Sequence, residues 1–338
     1  MEMMEVPRWQ LCSIDALRAD IEDPLRSIDP TLAADVAAQA SALARAAWGE
    51  QDAHALDRAE RVLHFLNSRH HFAVPLSHMA SIVGTTLTRA RLKSGFRAYT
   101  GPATVDAEQM KAALLWRVER ADREDHPLLE EISEAHGLDG LIIFAKNWMT
   151  STQGFLTQLI ALAQRCALDT RLVVLRNILD EMSGPTHEHL RARFVARLGL
   201  HYDPLRGLST YEPGLREDPL LVTSSFSLVN FRACVTAMPN PAYALGSFYT
   251  IEASFLRVCR ILLGALRRRA GFDEDALEIF RVHAELDAEH ASEWLDILER
   301  QPLTPHDRAC VLKGAAAQMH IRHRWFEEMR ELWETVRG

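Results

Sequence analysis

Apolar residues recur at spacings of three and four along most of the chain, and this periodicity restricts the possible folds more than any other feature of the sequence. Within 111–120, for example, Leu114, Leu115 and Val118 fall on one stripe of a helix. Ala, Leu, Glu and Arg, which favour helices, are abundant, whereas runs of alternating β-branched residues are nearly absent. We therefore predict an all-α protein.

The apolar stripes also predict where the helices lie. Shorter amphipathic helices are expected near 13–20, 32–48, 53–68 and 75–93. Seven or eight helices are expected after residue 110, over about 111–120, 128–147, 153–167, 170–183, 187–199, 242–268, 274–299 and 305–336. Because a turn-rich stretch at 95–102 separates these two sets, we predict an N-terminal helical extension over 1–110 and a main helical domain over 111–338.

Composition excludes several classes of protein. The net charge is −8, from 38 Lys and Arg against 46 Asp and Glu, so the chain as a whole does not attract nucleic acid. The N-terminus is acidic where a secretory signal needs positive charge, and no apolar run approaches the roughly 18 residues that span a bilayer. The five cysteines are far apart and form no CxxC pair, which argues against a thiolate zinc site and for a reducing compartment. We therefore expect a cytoplasmic protein that binds neither nucleic acid nor membrane.

Three potential metal ligands lie near the end of the chain at helical spacing. His283, Asp287 and His290 are separated by four and three residues, so they project from one face of a helix. The alternative is an ordinary exposed helix face, because Glu285 and Glu289 show that this helix is rich in charge anyway. Further ligands elsewhere in the chain would favour the metal site.

Two other regions supply such ligands. Glu181 and His187 stand on either side of a Gly-Pro break at 184–185, where they can face one centre, although Glu181 also fits a solvated acid at a helix end. Glu252 lies in the middle of the apolar stretch 242–266. A buried carboxylate costs several kcal/mol unless it is neutralised, paired or bound to a metal, so Glu252 needs either a metal or a buried arginine.

The candidate ligands are thus three imidazoles and three carboxylates from three or four helices: Glu181, His187, Glu252, His283, Asp287 and His290. Mixed nitrogen and oxygen ligation inside a helical bundle suits iron or manganese and lacks the thiolates of structural zinc. The set would also leave coordination positions open, as dioxygen activation requires.

The order of these residues resembles that of the haem-oxygenase-like di-iron oxidases and oxygenases, a family known broadly as iron-containing redox enzymes. The resemblance covers about 120–335 and rests on His126-Pro127-Leu128-Leu129, Gly137-Leu138, Asn177-x-x-Asp180-Glu181, Gly184, His187, Glu252 and His283-x3-Asp287-x2-His290. It implies a haem-oxygenase-like helical bundle, here with an extra N-terminal helical segment. It also implies that the six candidates bind two irons per chain, cycling between Fe(II) and Fe(III), with O2 as co-substrate.

Two features depart from the family pattern. The turn between Glu181 and His187 is shorter than in many relatives, so Asp180 is an alternative ligand to Glu181. Some N-oxygenating members use an extra carboxylate from the preceding helix, whereas the matching region here, 147–155, contains no acid.

The resemblance implies an oxidoreductase that takes a small-molecule substrate and an external electron donor. We expect N-oxygenation of an amino-acid-derived amine in specialised metabolism, because the extra N-terminal helices and the Pro-rich stretch 201–224 leave room for a large or carrier-tethered substrate. Oxidative C–C cleavage or desaturation of an amino or fatty acid is the alternative within the class. A metal-free helical binding or scaffold protein is the alternative from another class, and a homodimer is compatible with either. A thiamin-degrading type of hydrolase is disfavoured, since Cys166 and Cys234 lack the setting of a nucleophile.

Overall fold

The computed structural model describes residues 9–22, 28–70, 78–124, 127–183, 186–202 and 218–337. Within these ranges the regular structure is helical and contains no strand, which confirms the predicted all-α class. The chain divides into two compact units, Met1–Gly95 and Phe96–Gly338. The predicted boundary at 110 falls inside the second unit, and a separate N-terminal domain ending there stays a prediction.

The described residues of the first unit form four α-helices, α1 (Ile14–Glu22), α2 (Pro30–Trp48), α3 (Ala53–His70) and α4 (His78–Gly95). Helix α2 packs against both α3 and α4. Asp29 caps α2, because its Oδ1 accepts hydrogen bonds from the backbone N–H groups of Thr31 and Leu32. A buried ion pair joins α4 to α3, with Arg91 Nε 2.7 Å from Glu60 Oε1.

Ten α-helices make up the described part of the second unit: α5 (Ala107–Glu124), α6 (Pro127–Glu134), α7 (Asp139–Ser151), α8 (Phe155–Ala163), α9 (Leu168–Met182), α10 (His187–Arg197), α11 (Thr223–Thr236), α12 (Ala242–Leu266), α13 (Glu274–Arg300) and α14 (Pro305–Arg337). The single helix predicted over 128–147 is wrong, since α6 and α7 are separate helices. His126, the 184–185 break and most of the Pro-rich stretch, 203–217, lie outside the described residues.

Helix α11 is absent from the sequence-based prediction, and its burial explains why. Residues 224–236 are all buried, so this helix has no solvent face and no amphipathic stripe. Its sequence also contains serines and β-branched residues, which are weak helix formers. Although α11 and α12 are both rich in apolar residues, no helix in the described ranges is long and apolar enough to cross a membrane.

Helix α12 packs against α13 on one side and α14 on the other. Two glycines allow the α12–α14 contact: a Cβ on Gly246 would collide with the carbonyl oxygen of Val311, and a Cβ on Gly314 would collide with that of Tyr243. The two backbones therefore touch directly. Helix α12, which carries Glu252, also packs against α13, the helix that carries His283, Asp287 and His290.

Candidate metal centre

The six predicted ligands lie in two groups of three on four helices. The first group is formed by Glu181, His187 and His283, and the second group by Glu252, Asp287 and His290. In each group, one possible ligand atom from every residue lies within 4.8 Å of the others. The first group joins α9, α10 and α13, whereas the second joins α12 and α13. Metal binding by these residues stays a prediction.

The first group is held by contacts that suit a metal site. Glu181 Oε2 lies 2.6 Å from His187 Nδ1, and the rings of His187 and His283 lie 4.4 Å apart. His283 Nδ1 lies 2.7 Å from the carbonyl oxygen of Ile279, to which it donates. This bond fixes the ring and leaves Nε2 as the ligand atom, which is a common arrangement for metal-binding histidines.

Electrostatics keep His283 and Glu181 in the protonation states that metal binding needs. Burial lowers the pKa of His283 to about 3, and the neighbouring His187 acts in the same direction. Burial would raise the pKa of Glu181, but the charge and hydrogen bond of His187 lower it to about 2. A neutral imidazole and an ionised carboxylate are therefore both present near neutral pH.

The second group is centred on His290. Its Nδ1 lies 3.7 Å from Glu252 Oε2, and its Nε2 lies 3.0 Å from Asp180 Oδ2. Burial would lower the pKa of His290, but the neighbouring carboxylates of Glu252 and Asp180 raise it to about 9. Burial and the nearby Glu252 raise the pKa of Asp287 well above its usual range.

The two acids at the end of α9 contact different groups. Glu181 contacts His187 in the first group, whereas Asp180 contacts His290 of the second group. The sequence leaves Asp180 open as a replacement for Glu181. In the structure it instead lies beside the second group, where its Oδ2 meets a ring nitrogen of His290.

The second group contains buried polar atoms that lack a partner. Glu252 Oε1, Asp287 Oδ2 and His290 Nδ1 have no hydrogen bond within the described part of the protein. An unsatisfied buried polar atom costs about 1–3 kcal/mol, and a bound cation would satisfy these atoms. Together with a donor set of nitrogen and oxygen only, this observation means that the residues fit iron.

Burial argues against the alternative roles that the sequence allows for these residues. His283, Asp287 and His290 are buried, whereas Glu285 and Glu289 on the same helix are exposed. The three are therefore not part of an ordinary solvated face. Glu252 is likewise not neutralised by an arginine, since in the described residues its ion-pair partner is His290.

A cavity adjoins both groups. Its lining includes four of the six candidate ligands, Glu181, Glu252, His283 and Asp287, together with the aromatic rings of Trp148, Phe155, Phe255 and Trp325. Its empty volume, including the opening to solvent, is about 680 Å³. Aromatic rings beside potential metal ligands give this cavity the mixed apolar and polar lining that is typical of a small-molecule site.

Three arginines that sequence reasoning missed also line the cavity. Arg191, Arg232 and Arg322 are all buried. Arg191 donates to Glu188 Oε1 at 2.8 Å, and its guanidinium carbon lies 5.6 Å from the centre of the Trp148 ring. Arg232 carries the same signal that identified Glu252, a lone charge among mostly uncharged residues, here within 223–236.

Comparison with known proteins identifies the family. Residues 143–323 match the family of iron-containing redox enzymes. A 4-aminobenzoate synthase of Chlamydia pneumoniae is 30% identical over 158 residues, which is 46% of this chain and 66% of that protein. The chain thus matches just under two thirds of the length of this relative.

Solved structures show the same fold. A domain of unknown function from Shewanella denitrificans with a haem-oxygenase-like fold matches with a TM-score of 0.53 and 15% identity over 69% of this chain and 96% of its own. A TenA homologue from Pseudomonas syringae pv. tomato matches with a TM-score of 0.54 and 15% identity over 69% of this chain and 98% of its own. These matches confirm the predicted haem-oxygenase-like fold, and together with the family match they show that the chain belongs to the iron-containing redox enzymes.

Proposed function

We propose that the protein is a non-haem di-iron oxygenase with O2 as co-substrate. The observation that carries this proposal is the pair of buried ligand groups beside one cavity. Two adjacent sites are what a two-metal enzyme requires, and the cavity gives a substrate access to both. Bound ferrous iron would supply electrons for the reduction of dioxygen, and an external donor would return them.

The protein's own residues would hold and orient the metals. Glu181, His187 and His283 would hold one iron, and the residues of the second group would hold the other. Three carboxylates offset three of the four positive charges of two ferrous ions. The bond from His283 to the Ile279 carbonyl would keep its ring in place during turnover. The aromatic lining would exclude water from the substrate.

We propose N-oxygenation of an amino-acid-derived amine as the reaction. The similarity to a 4-aminobenzoate synthase supports a substrate that bears an amine, because 4-aminobenzoate carries an aromatic amine and a carboxylate. Oxidative C–C cleavage or desaturation is the alternative reaction for the same site. A carrier-tethered substrate, a role in specialised metabolism and a cytoplasmic location are parts of the same proposal.

An anaerobic titration with Fe(II) tests the metal site. We expect about two irons per chain for the wild-type protein. Glu252→Gln, which is nearly isosteric but neutral, should lower this value, whereas Glu289→Gln on the exposed side of α13 should not. The melting temperature gives a second readout, since iron should raise it by mass action in the wild type and much less in Glu252→Gln.

The outcomes separate the candidate functions. No iron uptake in excess Fe(II) would leave the metal-free scaffold as the better description of the protein. An unchanged metal-induced shift in Glu252→Gln would remove this residue from the site. With iron bound, mass spectrometry of the product formed from an amine substrate distinguishes the candidate reactions. N-oxygenation adds an oxygen, C–C cleavage removes carbon, and desaturation removes hydrogen.

A further inference from the structure

Arg232 occupies an unusual position for a charged residue. It lies on α11, the helix whose residues 224–236 are all buried, and only 3% of its surface is exposed. Its side chain nevertheless contributes to the lining of the cavity beside the two ligand groups. A buried guanidinium is costly unless an anion accompanies it.

Within the described residues, the partners of Arg232 are neutral. Its Nε donates to Gln158 Oε1 at 2.9 Å, and its Nη2 donates to the backbone carbonyl of Ser151. Its guanidinium carbon lies 5.9 Å from the centre of the Phe155 ring. Among the residues that the structure describes, no carboxylate pairs with Arg232. These contacts position Arg232. Since a guanidinium has five N–H donors, they also leave N–H donors of Arg232 available to bind a ligand.

The other charges of the cavity do not compensate Arg232. Burial lowers its pKa to about 9, and the positive charge of Arg191 acts in the same direction. Arg191 itself is paired with Glu188. The carboxylates that line the cavity, Glu181, Glu252 and Asp287, all belong to the two ligand groups, where metal ions would take up their charge.

We propose that Arg232 binds the carboxylate of a small aromatic organic acid. The guanidinium offers a planar pair of donors that matches a carboxylate, and Phe155 and Phe255 supply ring surfaces in the same cavity. The assignment of this acid as the substrate, rather than only a ligand, rests on the proposed oxygenase function. The substrate would then be an amino acid or aromatic amine that keeps a free carboxylate.

Binding of a matched pair of probes tests the proposal. Titration calorimetry compares 4-aminobenzoate with 4-aminobenzamide, which has nearly the same shape but no charge, on protein loaded with Fe(II) under anaerobic conditions. We expect wild-type protein to bind the acid at least about tenfold more tightly than the amide. Arg232→Met should bind both equally, and Arg232→Lys should recover part of the preference.

Control variants test whether Arg232 itself holds the carboxylate. Arg268→Met removes an exposed arginine and should keep the wild-type preference. A preference that persists in Arg232→Met would mean that iron, not Arg232, holds the carboxylate, and would overturn the proposal. Equal binding of acid and amide by the wild type, binding of neither, or tighter binding of inorganic phosphate would overturn it as well. Iron uptake is measured on the same samples, so a failure of the oxygenase proposal appears separately from a failure at Arg232.

Discussion

Asp287 is a buried carboxylic acid in the second ligand group. It is 2% exposed, and its Oδ2 has no hydrogen bond within the described part of the chain. Burial and Glu252 both oppose its ionisation, so its pKa lies well above the usual range. The metal-free protein therefore keeps a proton on Asp287 where an unfolded chain would lose it.

This leads to a prediction for Asp287→Asn. Because the pKa is raised in the folded state, the wild-type metal-free protein loses stability as pH rises above the unfolded pKa of about 3.9 towards the folded one. The asparagine variant has no such proton and should melt higher than wild type near neutral pH, with a gap that widens as pH rises above about 3.9. Its iron binding should be weakened.

Melting curves of the metal-free proteins across this pH range provide the measurement. Glu285→Gln, an exposed acid on the same helix, serves as the control and should show no gap. A difference between wild type and Asp287→Asn that is the same at every pH would contradict the assignment of the raised pKa to Asp287.

At the scale of the helices, the boundaries predicted from the sequence are accurate where the periodic pattern is strong. The helices predicted over 242–268, 274–299 and 305–336 correspond to α12, α13 and α14 within two residues at each end. These helices are long, and they carry clear stripes of buried residues. Helix α11 has no such stripe, because it is covered on all sides, and the sequence pattern therefore does not reveal this helix.

The contact between α12 and α14 gives a prediction at this scale. Gly246→Ala should lower the free energy of unfolding by about 1–3 kcal/mol, because its Cβ would force the backbone of Val311 away. Gly264→Ala lies on the same helix with open space around it, and should be neutral or stabilising by up to about 1 kcal/mol through helix propensity. Urea unfolding of both variants measures the difference, and equal effects would show that the close contact is not required.

At the scale of the whole molecule, we predict that a homodimer forms through helix α9. Helix α9 exposes a stripe of apolar side chains at spacings of four and three, each between 40% and 66% exposed: Leu168, Leu172, Leu175, Leu179 and Met182. This is the spacing of a helix–helix seam. The stripe is nearly symmetric about Leu175, so a second copy in antiparallel orientation would match it.

The corresponding prediction concerns the mass in solution. Sedimentation should show wild-type dimers that dissociate when Leu172 and Leu179 are both replaced by Glu, because two charges would have to be buried in the seam. Leu115→Glu changes an exposed leucine on α5 and should leave the dimer intact. A wild-type protein that stays monomeric at all concentrations would refute the prediction.

Features that depend on the geometry of a single helix can be predicted from the sequence. The period of an α-helix places His283, Asp287 and His290 on one face, and the apolar stretch around Glu252 implies that a buried acid needs a partner. Both inferences concern residues close in sequence, whose relative positions the backbone fixes before any tertiary contact forms. The all-α class follows from the same periodicity.

Which distant residues meet depends on the tertiary structure. It divides the six candidates into two groups and places Asp180 beside His290 rather than in the position of Glu181. It also places Arg232, which lies on the fully buried helix α11, in the lining of the cavity beside these groups. These arrangements depend on how helices cross, for example where Gly246 and Gly314 let α12 and α14 touch. Helix crossings depend on packing between segments far apart in the chain, and local sequence spacing carries no record of them.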